Sequence, residues 1–318
     1  MKSILNFFEF IANNLPILIV LLLLANLLAF YLASKRLPSA YRIAIIGYPR
    51  AGKTFLITAI FKNLFLGKVS GFDTIPRGNE TIERINNYIE LMETGRAIGP
   101  TTDQDVFAFR ADLVRKFFGF QRKWKTELGD FPGEDSEEFG RKSGSTDYFN
   151  TNYFKWAISS DSYIFNIDLA SYLIAPVPKI FATETKTFFT KAWQHLQDHH
   201  IDGKKNLGRM PVSLVFTKSD LLIRYTEFEK QSPRGSDEFI NKIIEYGFKR
   251  IVWLDLRGDK AVQIDQQLLN EIETAFSEIV DYFKLQTKKF SVEYVSAITT
   301  TDEGGFGIKN LSSHILPR

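Results

Sequence analysis

Hydrophobic and polar positions fall into two alternating kinds of stretch. Residues 43–46, 162–167, 212–216 and 290–295 are short, dominantly apolar runs, the signature of strands buried on both faces. Residues 55–60 are helix-like. A further helix begins at Asn79, which reads as its cap, and carries Ile82, Ile85, Ile89 and Met92 at helical spacing, closed by Gly95. Leu268, Ile272, Phe276, Ile279 and Phe283 mark one face of a long helix. Residues 106–113 and 124–128, with a turn near 118–120, read as an antiparallel hairpin. Residues 71–76 break the pattern, 224–235 read as a basic surface loop, and 249–256 as an extra strand or turn. Strands alternating with helices, plus one hairpin, predict an α/β fold. It is a doubly wound, mostly parallel sheet with one antiparallel edge strand, its ligand lying across the carboxyl ends of the strands.

The N-terminus departs from this alternation. Residues 15–33 form an uncharged, apolar run of 19 residues, ~28 Å long as a helix and enough to cross a bilayer core. A secretory leader fits less well, because Glu9 precedes the run and Leu32-Ala33-Ser34 is a poor cleavage site. The expectation is a single transmembrane helix within an anchor at 1–36. Lys35, Arg36 and Arg42 after it outnumber Lys2 before it and put the C-terminal side in the cytoplasm. Residues 37–318 then form one enlarged domain, with a helical insertion at about 71–100 and another at about 224–261.

Composition excludes more than it assigns. A net charge of +3 over 318 residues gives no reason to expect nucleic acid, and the absence of cysteine rules out disulfides and thiolate metal sites. His195 and His199 sit four apart on a helix, but Leu196 stands where a zinc protease motif needs glutamate, so they read as a solvated helix end.

The strongest local signal is Gly47-Tyr48-Pro49-Arg50-Ala51-Gly52-Lys53-Thr54, set between a strand and a helix. Its G-x4-G-K-T spacing is that of a phosphate-binding loop. Glycines let successive backbone N–H groups turn inward, and the following helix adds its positive end. Lys53 is expected on the β- and γ-phosphates and the Thr54 hydroxyl on Mg²⁺.

Four further motifs follow in order. Gly99-Pro100-Thr101-Thr102 precedes the hairpin, and Asp130-Phe131-Pro132-Gly133-Glu134 ends it. Thr217-Lys218-Ser219-Asp220 ends the strand at 212–216, and Ser296-Ala297 ends the strand at 290–295. This ordered set resembles the switch I, switch II and guanine-contacting loops of Ras-like GTPases of the translation-factor-related class. One N-terminal span directly followed by such a domain is similar in layout to the β-subunit of the signal-recognition-particle receptor, itself close to the Arf group.

That resemblance implies a membrane-anchored GTP-binding and GTP-hydrolysing switch that uses GTP/GDP and Mg²⁺, no other metal, and an effector or regulatory protein. Asp130 would hold Mg²⁺ through water, and Thr101, with Thr102 as second choice, would close over it. The Gly133 N–H would meet the γ-phosphate. Asp220 would accept from guanine, the Lys218 stem would cover the base, Thr217 would replace the commoner Asn, and the Ala297 N–H would approach guanine O6. Glu134 stands where family members often carry Gln or His, implying slow hydrolysis without a partner. Arg50 reads as solvent-facing or as an internal arginine finger. Two other readings compete, a non-hydrolysing nucleotide-dependent membrane scaffold and an ATP-using P-loop enzyme.

Overall fold

The computed structural model describes residues 14–17, 19–28, 40–69, 71–96, 99, 107–117, 120–141, 151–201, 204–249, 251–258 and 263–317. The chain divides into two compact units, Met1–Ala40 and Tyr41–Arg318. In the first, 14–17 and 19–28 are helical, and Leu21, Leu22, Leu23 and Leu24 are each 56–67% exposed. Among the described residues no helix is long and apolar enough to cross a membrane. The span expected over 15–33 extends past them, as do Thr101 and Thr102.

The second unit is built on a seven-stranded sheet. Its first half contains β1 (Tyr41–Gly47), α1 (Lys53–Phe65), β2 (Asp73–Pro76), α2 (Asn79–Glu93), β3 (Phe107–Phe117), β4 (Phe120–Asp130), α3 (Gly133–Arg141) and α4 (Asn152–Ile158). Next come β5 (Ser162–Asp168), α5 (Leu169–Ile174), α6 (Pro178–His199), α7 (Lys204–Leu207), β6 (Pro211–Thr217), α8 (Leu221–Gln231) and α9 (Asp237–Ile244). A π-helical turn, Glu245–Lys249, leads to β7 (Leu254–Asp255), α10 (Gln266–Ala275), α11 (Ser277–Gln286), β8 (Lys289–Tyr294), β9 (Thr299–Thr300) and α12 (Ile308–Ile315).

The main sheet runs β2-β3-β4-β1-β5-β6-β8, and from β4 to β8 every pairing is parallel. β3 runs antiparallel to both neighbours, so the antiparallel pairings lie on one side of the sheet, as expected, with β3 one strand in from the edge. The outermost strand, β2, lies in the stretch read as a break, because four residues with Pro76 at one end carry too little pattern to announce a strand.

Alternation along β1 sends Ile43 and Ile45 to one face and Ala44 and Ile46 to the other, so each face has its own core. The first packs α1 and α12, through Leu56, Ile57, Ile60, Ile308 and Leu311. The second packs α6, α10 and α11, through Phe189, Trp193, Leu268, Ile272 and Phe283.

Three expectations need correction. The long helix over 268–283 is two helices meeting at Phe276, whose backbone (φ −102°, ψ 8°) leaves the helical path while its ring packs on Tyr172 and Phe216 at 5.4 and 5.2 Å. Most of 224–235 is the end of α8, with Tyr225 buried. Asn79 opens α2 but is not its cap. Gly78 holds that position, with no side-chain cap bond.

Candidate functional site

β1, β4, β5, β6 and β8 all deliver their carboxyl ends to one edge, and the loops singled out in the sequence meet there. At the phosphate end, Gly52 has φ 78° and opens α1, while Arg50 holds φ 61°, a conformation L-residues rarely adopt. Gly47 is glycine for want of space, since a Cβ there would stand 2.8 Å from the Asn166 carbonyl oxygen. Tyr48 and Ala51 complete the turn. The Tyr48 ring packs on Phe188 of α6 at 4.7 Å, and the Ala51 N–H donates to the Tyr48 carbonyl at 3.3 Å.

Lys53 is buried and donates to the Gly47 and Tyr48 carbonyls, each at 3.0 Å. Burial lowers its pKa to about 8, opposed by the carboxylates of Asp130, Glu134, Glu137 and Asp135. Thr54 donates its hydroxyl to Asp130 Oδ1 at 3.0 Å. The two oxygens expected at Mg²⁺ are thus adjacent, and a hydroxyl beside a carboxylate is the hard oxygen set that cation takes.

Asp130 ends β4 and is buried. The stretch after it forms the helix α3 from Gly133, with Glu134 and Asp135 in its first turn, where the dipole favours acids. A Cβ at Gly133 would stand 2.4 Å from the Pro49 Cα, so this helix start rests directly on the phosphate loop. Ser136 strengthens the contact by accepting from the Gly47 N–H at 2.8 Å, and the Tyr153 hydroxyl donates to the Ile45 carbonyl at 3.1 Å.

At the base end, β6 runs into Thr217-Lys218-Ser219-Asp220. The Thr217 hydroxyl donates to the Ala51 carbonyl at 2.8 Å, tying this loop to the phosphate loop, and Asn166 donates to the same carbonyl at 2.8 Å. Lys218 adopts φ 59° and its ammonium meets Asp168 Oδ2 at 2.8 Å. The Ser219 N–H donates to the Val295 carbonyl at 3.0 Å, which draws Ser296-Ala297 alongside. Ser296 is buried and Ala297 half-buried. Asp220 is 1% exposed, and neither of its carboxylate oxygens has a hydrogen-bond partner. Burial raises its pKa, against the Ser296 and Tyr246 hydroxyls that lie nearby.

The chain has a P-loop GTPase fold. The strand order, the glycine-framed loop after β1, and its ties to the loops after β4 and β6 define it. No protein-family model matches the chain, and no curated protein matches it. Similar solved structures include the signal recognition particle receptor SRb-GTP/SRX complex from Chaetomium thermophilum. It is 13% identical, with TM-score 0.38, over 81% of this chain and 91% of that one. The S. cerevisiae Ski7 GTPase-like domain bound to GTP is also 13% identical, with TM-score 0.33, and the match spans 81% of this chain but 43% of that one. These likenesses are remote, and the GTPase fold rests on the chain's own topology and loops.

Sequence reasoning missed Ser136, Tyr153, Tyr246 and Phe248 near the loops. Asp168 ends β5 as the partner of Lys218. It also caps α5, accepting from the Ala170 N–H at 3.0 Å. Asn166 had a readable signal, as a lone amide inside an otherwise apolar strand. His195 packs edge-on against Phe139 of α3, with centroids 5.7 Å apart.

Proposed function

We propose that this GTPase fold binds GTP and hydrolyses it, as a two-state switch. One observation carries the reading: a carboxylate at the base end, buried, with two acceptor oxygens and no formed hydrogen bond. Guanine presents two adjacent donors, N1–H and the exocyclic amine, on one edge, whereas adenine offers a donor beside an acceptor. A buried carboxylate left facing an acceptor is penalised, which is the source of discrimination.

At the other end, Lys53 exchanges two neutral carbonyls for phosphate oxygens. Thr54 and Asp130 are the residues that would hold Mg²⁺, which when bound neutralises charge on the phosphoryl oxygens. The Gly133 N–H would meet the γ-phosphate, and Glu134 beside it would orient water at the cost of an extra negative charge. Turnover is therefore slow until a regulatory protein rearranges α3. The proposal extends to the N-terminus, where the exposed leucines support a single-pass anchor with the GTPase domain on the cytoplasmic side.

The decisive test is competition. A fluorescent guanine nucleotide should be displaced by GTP at far lower concentration than by ATP, with phosphate release following GTP addition. Equal displacement by ATP overturns the guanine assignment, and binding without phosphate release leaves a non-hydrolysing scaffold. For the anchor, deletion of 1–36 should release the protein from membranes into the soluble fraction, and unchanged pelleting would refute it.

A further inference from the structure

The π-helical turn Glu245–Lys249 lies over the residues assigned to the base. Its Tyr246 hydroxyl sits beside the Asp220 carboxylate and the Arg224 guanidinium. Its Phe248 ring has the Lys218 ammonium 3.6 Å from its centroid, a cation–π contact. Gly247, between them, lies so close to α5 that a Cβ there would stand 2.7 Å from that of Ala170. Tyr246 is 8% exposed, and its hydroxyl, like both Asp220 oxygens, is shut off from solvent without a formed hydrogen bond.

A purine edge cannot reach a carboxylate that water cannot reach. Nor does the arrangement satisfy its own polar groups, so what favours keeping it closed is ring packing and cation–π contact, including Phe228 on Tyr246 at 5.4 Å and Arg224 over Tyr246 at 4.8 Å. A single π-helical turn, with its poorer hydrogen-bond register, is a frequent device at functional sites.

We propose that the turn is a gate on the base end. Tyr246 and Phe248 cover Asp220 and Lys218 in the closed arrangement, and the turn swings away to admit guanine, so the insertion carrying it sets the rate of nucleotide exchange. The inference rests on the assignment of Asp220 to guanine. A fixed pocket wall would act in the opposite way, since removing it would speed release and leave entry unchanged.

The chain has no cysteine, so a cross-link can be placed cleanly. In the full-length chain, an Ala170→Cys/Gly247→Cys pair needs the Cβ atoms to separate by about 1 Å to reach disulfide geometry. Association of a fluorescent guanosine diphosphate, followed by stopped flow, should be at least about tenfold slower in the oxidised protein than after dithiothreitol, because entry scales with the open fraction. Tyr246→Ala, which needs no cross-link, should speed association several-fold. Equal rates in the oxidised and reduced protein, or a Tyr246→Ala variant that changes release alone, overturn the gate. Asp220→Asn separates the two levels. Guanine preference that survives it removes the base assignment and the gate together, whereas lost preference with equal oxidised and reduced rates removes only the gate.

Discussion

At the phosphate end every charged group that matters already has company. Lys53 holds two carbonyls, Thr54 holds Asp130, and Ser136 takes the Gly47 N–H. At the base end neither Asp220 oxygen has a formed hydrogen bond, and Tyr246 of the π-helical turn lies beside it. Both regions are buried, so the difference is one of chemistry. A lysine can rest on neutral carbonyls and trade them for phosphate oxygens with little rearrangement. The Asp220 carboxylate has no formed hydrogen bond in the closed arrangement, although the Ser296 and Tyr246 hydroxyls lie nearby. The phosphate end is preorganised, and the base end is completed only by its ligand.

The comparison breaks first at Lys53. Lys53→Met removes two charge-assisted hydrogen bonds worth about 1.5–3 kcal/mol each, so nucleotide affinity should fall by at least ~100-fold in an equilibrium titration. A smaller loss there than at Asp220 would invert the ranking of the two ends. Next in size, Asp220→Asn should shift preference from guanine to xanthine nucleotides by roughly 100-fold, since one acceptor becomes a donor; an unaltered preference removes Asp220 from the site.

The third expectation concerns pH. Lys53 has a pKa of about 8 in the fold and its ordinary value, 10.5, in the unfolded chain. The unfolded chain therefore holds more protons between these values, and stability rises with pH across that window, by up to ~3 kcal/mol. Urea titrations at pH 7.5 and 10 should show the gain, and Lys53→Met should abolish it. Gly47→Ala follows, forcing a Cβ to 2.8 Å from the Asn166 carbonyl oxygen. A loss of about 1–3 kcal/mol is expected, read as a lower Tm. Glu134→Gln is the smallest, removing a negative charge beside Lys53 and raising turnover by up to ~10-fold, or about 1.4 kcal/mol. Unchanged phosphate release would make Glu134 a bystander.

How much of this was legible depended on how far apart the partners lie. Residues 47–54 announce themselves because their geometry is local, with glycines where the backbone turns and a lysine one residue into a helix. Thr217, Asp220 and Ser296 were readable because each follows an apolar strand, Asp130 because it ends the hairpin, and parallel strands bring such loops to one edge. Ser136 against Gly47 and Lys218 against Asp168 are 89 and 50 residues apart, and no periodicity encodes them. The break at Phe276 was invisible for a related reason. A helical stripe continues in register across it, and the ring's burial between Tyr172 and Phe216 is what bends the chain there.

What the sequence determined by itself was most of the elements, their order, and the loops that gather at the carboxyl edge of the sheet, because hydrophobic period and turn chemistry act within a few residues. Only the tertiary structure decided that the segment after Asp130 starts a helix pressed on Pro49, that β2 closes the sheet, and that Tyr246 and Phe248 lie beside Asp220 and Lys218. Those outcomes depend on which surfaces meet once two cores have formed on opposite faces of one sheet, a matter of packing between distant segments.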